Sequence, residues 1–357
     1  MRAATRIASP ALHLPWLKDR TLSPRSLLAE VVNRRRSTVG AILGAAISIG
    51  AGVAGAEARD VYSVSTGTST LPTHNQLHAA TERFLRSQPE LPSRSPARVR
   101  GPIVVTPVFP ATRIVSFYGA PQMGATVLGR NSPEAASDKL AAQSAPYVEL
   151  GDRPVVGSFD LVSVFATAGG GPDGLYRTRQ DDDVIAIYLE QARAIGARLM
   201  LDIQPGRSKF VKELRELREW IAQPDVDIGI DAEWNVGRRG IPGQTNGKVF
   251  AREVNRVSKE MQKIVAANDL PAKLLAVHQF RQGSVRARTK IRTRPGVQPF
   301  LNFDGIGSPG PKAAGYAALS RPTLPSGFSL FYSRDTPLMR PAQVLALEPQ
   351  PDFLLYQ

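Results

Sequence analysis

Two carboxylates separated by one residue, Asp231 and Glu233, close an apolar run, VDIGIDAEW (226–234). On an extended strand, residues i and i+2 share a face roughly 6–7 Å apart, since each residue advances about 3.3 Å. Like charges that near, in a partly dry site, cannot both ionise freely, so one pKa rises. A carboxyl kept protonated near neutral pH can protonate a leaving oxygen while its neighbour orients it or supports positive charge. That is the chemistry of glycosidic cleavage. Glu233, nearest the strand's end, is assigned as the general acid and Asp231 as its partner. Asp202, at the end of RLMLDIQPG (198–206), offers a second charge or a base.

Other polar side chains recur where apolar runs stop. Tyr118, Gln204, His278, Asp304 and Gln357 are assigned to substrate binding, and Trp234, Tyr118 and Phe280 offer stacking surfaces. The bland alternative makes the carboxylates structural partners of Arg153, Arg207 or Arg281. The chain has no cysteine, which removes thiol nucleophiles, disulfides, Cys-ligated zinc and iron–sulfur clusters. Three of its four histidines precede residue 79, which argues against a multi-histidine metal site. No metal and no cofactor is therefore expected.

These residues need a scaffold that gathers strand ends. Eight apolar runs follow residue 111: 113–119, 158–167, 198–206, 226–234, 273–280, 298–305, 327–333 and 352–357. Helix-patterned segments such as DDDVIAIYLEQARAIG and GKVFAREVNRVSKEMQKIVAAN alternate with them. The alternation predicts an α/β fold, a (β/α)8 TIM barrel over 111–357, whose catalytic groups collect at the C-terminal strand ends. An open doubly wound sheet is disfavoured because no Gly-x-Gly-x-x-Gly opens the first helix. Neither a phosphate-loop spacing nor a Gly-x-Ser-x-Gly elbow occurs.

The segment ahead of the barrel reads differently. Arg34-Arg35-Arg36, the uncharged stretch 37–55 and Ala56-Glu57-Ala58 have the order of an export signal over 1–58, with a membrane anchor as the alternative. Residues 59–110 are rich in Ser, Thr and Pro and read as a flexible linker, with a short amphipathic helix near 75–87. The expected location is outside the cell or at its surface.

With 45 Lys+Arg against 31 Asp+Glu, the 357-residue chain carries a net charge of +14. Arg286, Arg288, Lys290, Arg292 and Arg294 place a basic residue at alternate positions after the fifth run, on the mouth side. Such a segment can hold an anionic surface. No nucleic-acid module accompanies it, so nucleic acid is not the expected partner.

Asp231-Ala232-Glu233 resembles the closing Asp-x-Glu of family-18 chitinases and the acidic pair of family-25 lysozymes. Phe303-Asp304 is similar to the Tyr-Asp dipeptide of the chitinase group, and Tyr356-Gln357 to the Trp-Gln ending of the lysozyme group. Val226 and Gly229 stand where the chitinase pattern has aspartates, and Ser116 and Tyr118 where the lysozyme pattern has one. The resemblance covers the barrel and implies a glycosidase-like protein with Glu233 as acid and Asp231 orienting an acetamido group. The expected function is hydrolysis of a cell-wall or extracellular glycan; the alternative is a barrel that binds such a glycan without cleaving it.

Overall fold

A computed structural model describes residues 71–88, 108–321 and 323–357. The export signal, and the linker outside 71–88 and 108–110, lie outside the described residues. Eight parallel strands form: β1 (Arg113–Gly119), β2 (Val155–Ala166), β3 (Arg198–Ile203), β4 (Val226–Asp231), β5 (Lys273–Gln279), β6 (Val297–Phe303), β7 (Ser326–Leu330) and β8 (Phe353–Tyr356). Each pairs with the next, and β1 also pairs with β8, which closes the sheet into a barrel. The strands are buried on both faces because helices cover the outside, and this is why they read as nearly continuous apolar runs.

Period-two alternation sorts the side chains. Phe159 turns out against Tyr188 of the helix layer, and Phe303 against Tyr316. The inner face changes character along the barrel. Near the strand starts, the rings of Phe109, Phe300 and Phe353 pack together with centroids 5.4 and 4.9 Å apart. Towards the strand ends, Ser116, Asp160, Asp202, His278, Asn302 and Ser329 are buried instead. One end is a hydrophobic plug and the other is polar.

Most crossovers are helical. The β1–β2 crossover holds α1 (Val127–Arg130) and α2 (Pro133–Leu150), and β2–β3 holds α3 (Asp182–Ala194). Two short helices, α4 (Phe210–Glu216) and α5 (Arg218–Ile221), follow β3, and α6 (Ala251–Asn268) follows β4. Later crossovers carry α7 (Pro309–Leu319) and α8 (Pro341–Leu345). Their caps are written locally: Ser132 accepts from Ala135 N ahead of Pro133, and Asp181 accepts from Asp183 N at 2.9 Å.

The short helix expected near 75–87 forms as His74–Ser87 and packs on the barrel: Phe84 stacks on Tyr188, and Gln122 donates to Thr81 at 2.7 Å. One feature departs from the sequence reading. The basic segment after β5 does not stay at the mouth. It opens with a two-residue strand, Val285–Arg286, paired with Val249–Phe250, continues through a short 3-10 turn (Arg288–Lys290) and runs down the flank of α6, because Asn255 and Ser258 of that helix bind Lys290, Arg292 and Arg294.

Candidate active site

Strand register carries the acidic residues to one place. Tyr118 lies beside Asp160, Asp202 beside Gly229, Asp231 beside His278, and His278 beside Asn302 on adjacent strands. Register neighbours point to the same side, here the barrel interior. Room for them comes from glycine. A Cβ at Gly229 would lie 2.5 Å from Asp202 Oδ1, and one at Gly327 would lie 2.3 Å from Asn302 Oδ1. Each polar side chain therefore lies across the empty position of its neighbouring strand.

His278 is the hub. Its Nδ1 is 2.9 Å from Asp304 Oδ2, while Nε2 faces Asp202 Oδ1 at 3.7 Å and Asp160 Oδ2 at 4.0 Å. Burial disfavours the imidazolium, but Asp304, Asp202 and Asp231 outweigh it and raise the pKa well above the ordinary value. Asp304 also accepts from Asn302 Nδ2 at 2.6 Å and from the Ser329 hydroxyl. Its side chain is 15% exposed, whereas those of Asp160 and Asp202 are fully buried.

Both carboxylate oxygens of Asp160 and of Asp202, together with His278 Nε2 and Asn302 Oδ1, are buried without a hydrogen-bond partner among the described residues. Burial and the neighbouring Asp202 raise Asp160 well above its usual range. Burial lifts Asp202 to about 6 against the opposing pull of His278. Asp231 is raised by burial and by Asp202, and Glu233 is pushed up to about 7 by burial and by Asp304, with Arg334 and Arg281 opposing.

The Asp-x-Glu pair is built differently from the extended spacing expected of it. β4 stops at Asp231, whose Oδ1 accepts from Glu233 N at 3.0 Å and caps a 3-10 turn, Ala232–Trp234. The aspartate's own side chain competes with the ladder and turns the chain. Asp231 thus ends its strand beside His278 and Glu233 follows in the turn; both are half-buried, as is Trp234.

Among the other expected residues, Gln204 accepts from Ala166 N at 3.1 Å and donates to the Tyr118 hydroxyl at 2.9 Å. Both are buried wall residues beside the cluster. Gln357 is not brought to it. It lines a separate cavity of about 640 Å³ with Phe117, Lys139 and Tyr332. Of the three arginines considered as structural partners, Arg153 binds Asp352 at 2.7 Å and Arg207 lies over Tyr176, so neither engages the cluster; only Arg281 acts on it, through Glu233.

Asn302, read from the sequence as one of the polar strand ends at the mouth, joins the cluster; Asp160 and Ser329 are members that the sequence reading did not assign to the site, as is the exposed Arg334. A lone Asp inside the apolar SFDLVSVF is the signal for Asp160. Among the described residues no group of three or more His, Asp or Glu side chains is arranged to hold a metal ion.

Fold and site together define a closed parallel α/β barrel whose polar end carries acidic side chains around one buried histidine. No protein-family model, curated protein or solved structure matches the chain.

Proposed function

We propose that this barrel is a glycoside hydrolase of an exported, cell-wall or extracellular type. The observation that carries the reading is Glu233, a rim carboxyl held up to about 7 beside Asp304. A glycan laid across the mouth has its scissile oxygen protonated by Glu233 as the C–O bond breaks. Asp304, fixed by three hydrogen bonds, faces the developing positive charge and the incoming water; preorganised dipoles and charges of this kind cost no reorganisation during reaction. Water then adds at the anomeric carbon and gives its proton to the Glu233 carboxylate left by the first step, which restores the acid. Asp202 tunes the field around His278 and does not act as a base, since it is sealed from solvent; Asp231 is the partner of Glu233.

The test is release of reducing ends from peptidoglycan, chitin and arabinan fragments. Glu233→Gln is expected to lower turnover by about 10²–10⁴-fold with binding retained, the usual weight of general acid catalysis. Glycan binding without turnover by the wild-type chain would move the assignment to the non-catalytic barrel.

A further inference from the structure

The outer face of α6 is basic. Arg252, Arg256 and Lys259 follow one another at spacings of four and three, on one stripe of the helix. Val254, Val257 and Met261 occupy the opposite, buried stripe. The connector between β5 and β6 lies along the same helix in place of a crossover helix. Asn255 Nδ2 donates to Lys290 O at 2.8 Å, Arg292 N donates to Asn255 Oδ1 at 3.0 Å, and Arg294 Nε donates to Ser258 Oγ at 3.0 Å. This seam sets Arg286, Lys290 and Arg292 beside the helix's own cations, although the two segments are about thirty residues apart in sequence.

These cations are free. Arg256, Lys259, Arg286, Lys290 and Arg292 are exposed, and their side chains make no hydrogen bond or ion pair with any described residue. Both acids of the helix are already engaged: Glu260 is held by Arg215 and Lys263 at 3.1 and 3.0 Å, and Glu253 accepts from Phe250 N at 3.0 Å. From Arg252 to Lys259 the helix advances about 10 Å, so the stripe suits a repeating ligand better than a single small anion. The connector starts at the barrel rim with Arg281, whose charge opposes the rise of Glu233.

We propose that α6 and the β5–β6 connector form a cationic track for an anionic polysaccharide whose chain continues to the barrel mouth. This deepens the hydrolase reading and rests on it for the direction of the chain. Carboxylate-bearing sugars supply the complementary charge, and open cationic side chains raise their local concentration and rate of encounter.

The test uses the full chain in affinity electrophoresis with polygalacturonate, a neutral β-glucan and phosphatidylglycerol vesicles. Polygalacturonate is expected to bind, with affinity falling as salt shortens the Debye length from about 10 Å at 0.1 M. The variant R256Q/K259Q/R286Q/R292Q is expected to bind about tenfold or more weakly with an unchanged melting temperature, while E233Q binds like the wild type. Undiminished binding by the fourfold variant, equal binding of the neutral glucan, or preference for the vesicles over the polysaccharide overturns the track. Salt-dependent binding through these cations without bond cleavage leaves the track standing and counts against the hydrolase reading alone.

Discussion

Gly229 decides where Asp202 sits. The Asp202 carboxylate lies over a glycine on the neighbouring strand, in volume that a methyl group would take. Gly229→Ala is expected to destabilise the fold by roughly 1–3 kcal/mol, the usual cost of overpacking, because backbone and buried carboxylate must both give way. Removing the carboxylate should relieve the clash. The double variant Asp202→Ala/Gly229→Ala should therefore lose clearly less stability than the two single losses added together, as a denaturant double-mutant cycle would read. Strict additivity would mean that Gly229 serves the backbone and not Asp202. The same logic holds at Gly327 and Asn302, so one device, a glycine opposite a polar side chain, is used twice around the interior.

At the scale of elements, the strands were legible because burial on both faces writes them as apolar runs; RIVSFYG begins and ends where β1 does. The interior face was legible wherever alternation persists, and Asp202 and His278 lie on that face, on the two strands that flank β4. It failed where local hydrogen bonding replaces the ladder, as at Asp231, and where a polar residue lies mid-run, as at Asp160. Convergence of Arg281 and Arg334 on Glu233 depends on two loops far apart in sequence, and no spacing reports that. The loop after β7 that carries Arg334 is fixed by a buried pair: Lys312 of α7 meets Asp335, which also accepts from Phe331 N at 2.8 Å and Gly307 N at 3.0 Å. Lys312→Met leaves that carboxylate buried with only backbone donors. We expect a loss of about 3–5 kcal/mol in urea unfolding, as for other broken buried pairs. A loss below 1 kcal/mol would show that the backbone donors alone hold Asp335 and the loop.

For the whole molecule, the interior cluster sets how stability depends on pH. Asp160, Asp202, Asp231 and Glu233 all have folded pKa values above their ordinary ones. Between about pH 4 and 7 the folded chain therefore holds protons that the unfolded chain has released, and stability falls as pH rises. The contribution is complete below the ordinary carboxylate range near 4 and is lost through about 6 for Asp202 and about 7 for Glu233. His278, raised as well, acts in the same direction above its ordinary value of 6.5. Glu213, Glu260 and Asp173 are lowered, so their stabilisation is lost only as pH falls below the ordinary carboxylate range, outside this window. Lys273, lowered to about 7 by burial, is charged in both states below that value and opposes the trend only at higher pH. The interval from pH 5 to 7 thus reads the carboxylates almost alone. One pH unit of displacement is worth about 1.4 kcal/mol per group, so the melting temperature at fixed ionic strength should drop by several degrees from pH 5 to pH 7. Asp202→Asn should flatten the drop, because the amide cannot ionise, and the variant should melt above the wild type at pH 7 and near it at pH 5. A melting temperature that stays level or climbs across that interval would mean that the buried acids carry no displaced protons, and the reason for a protonated Glu233 at the rim would go with them.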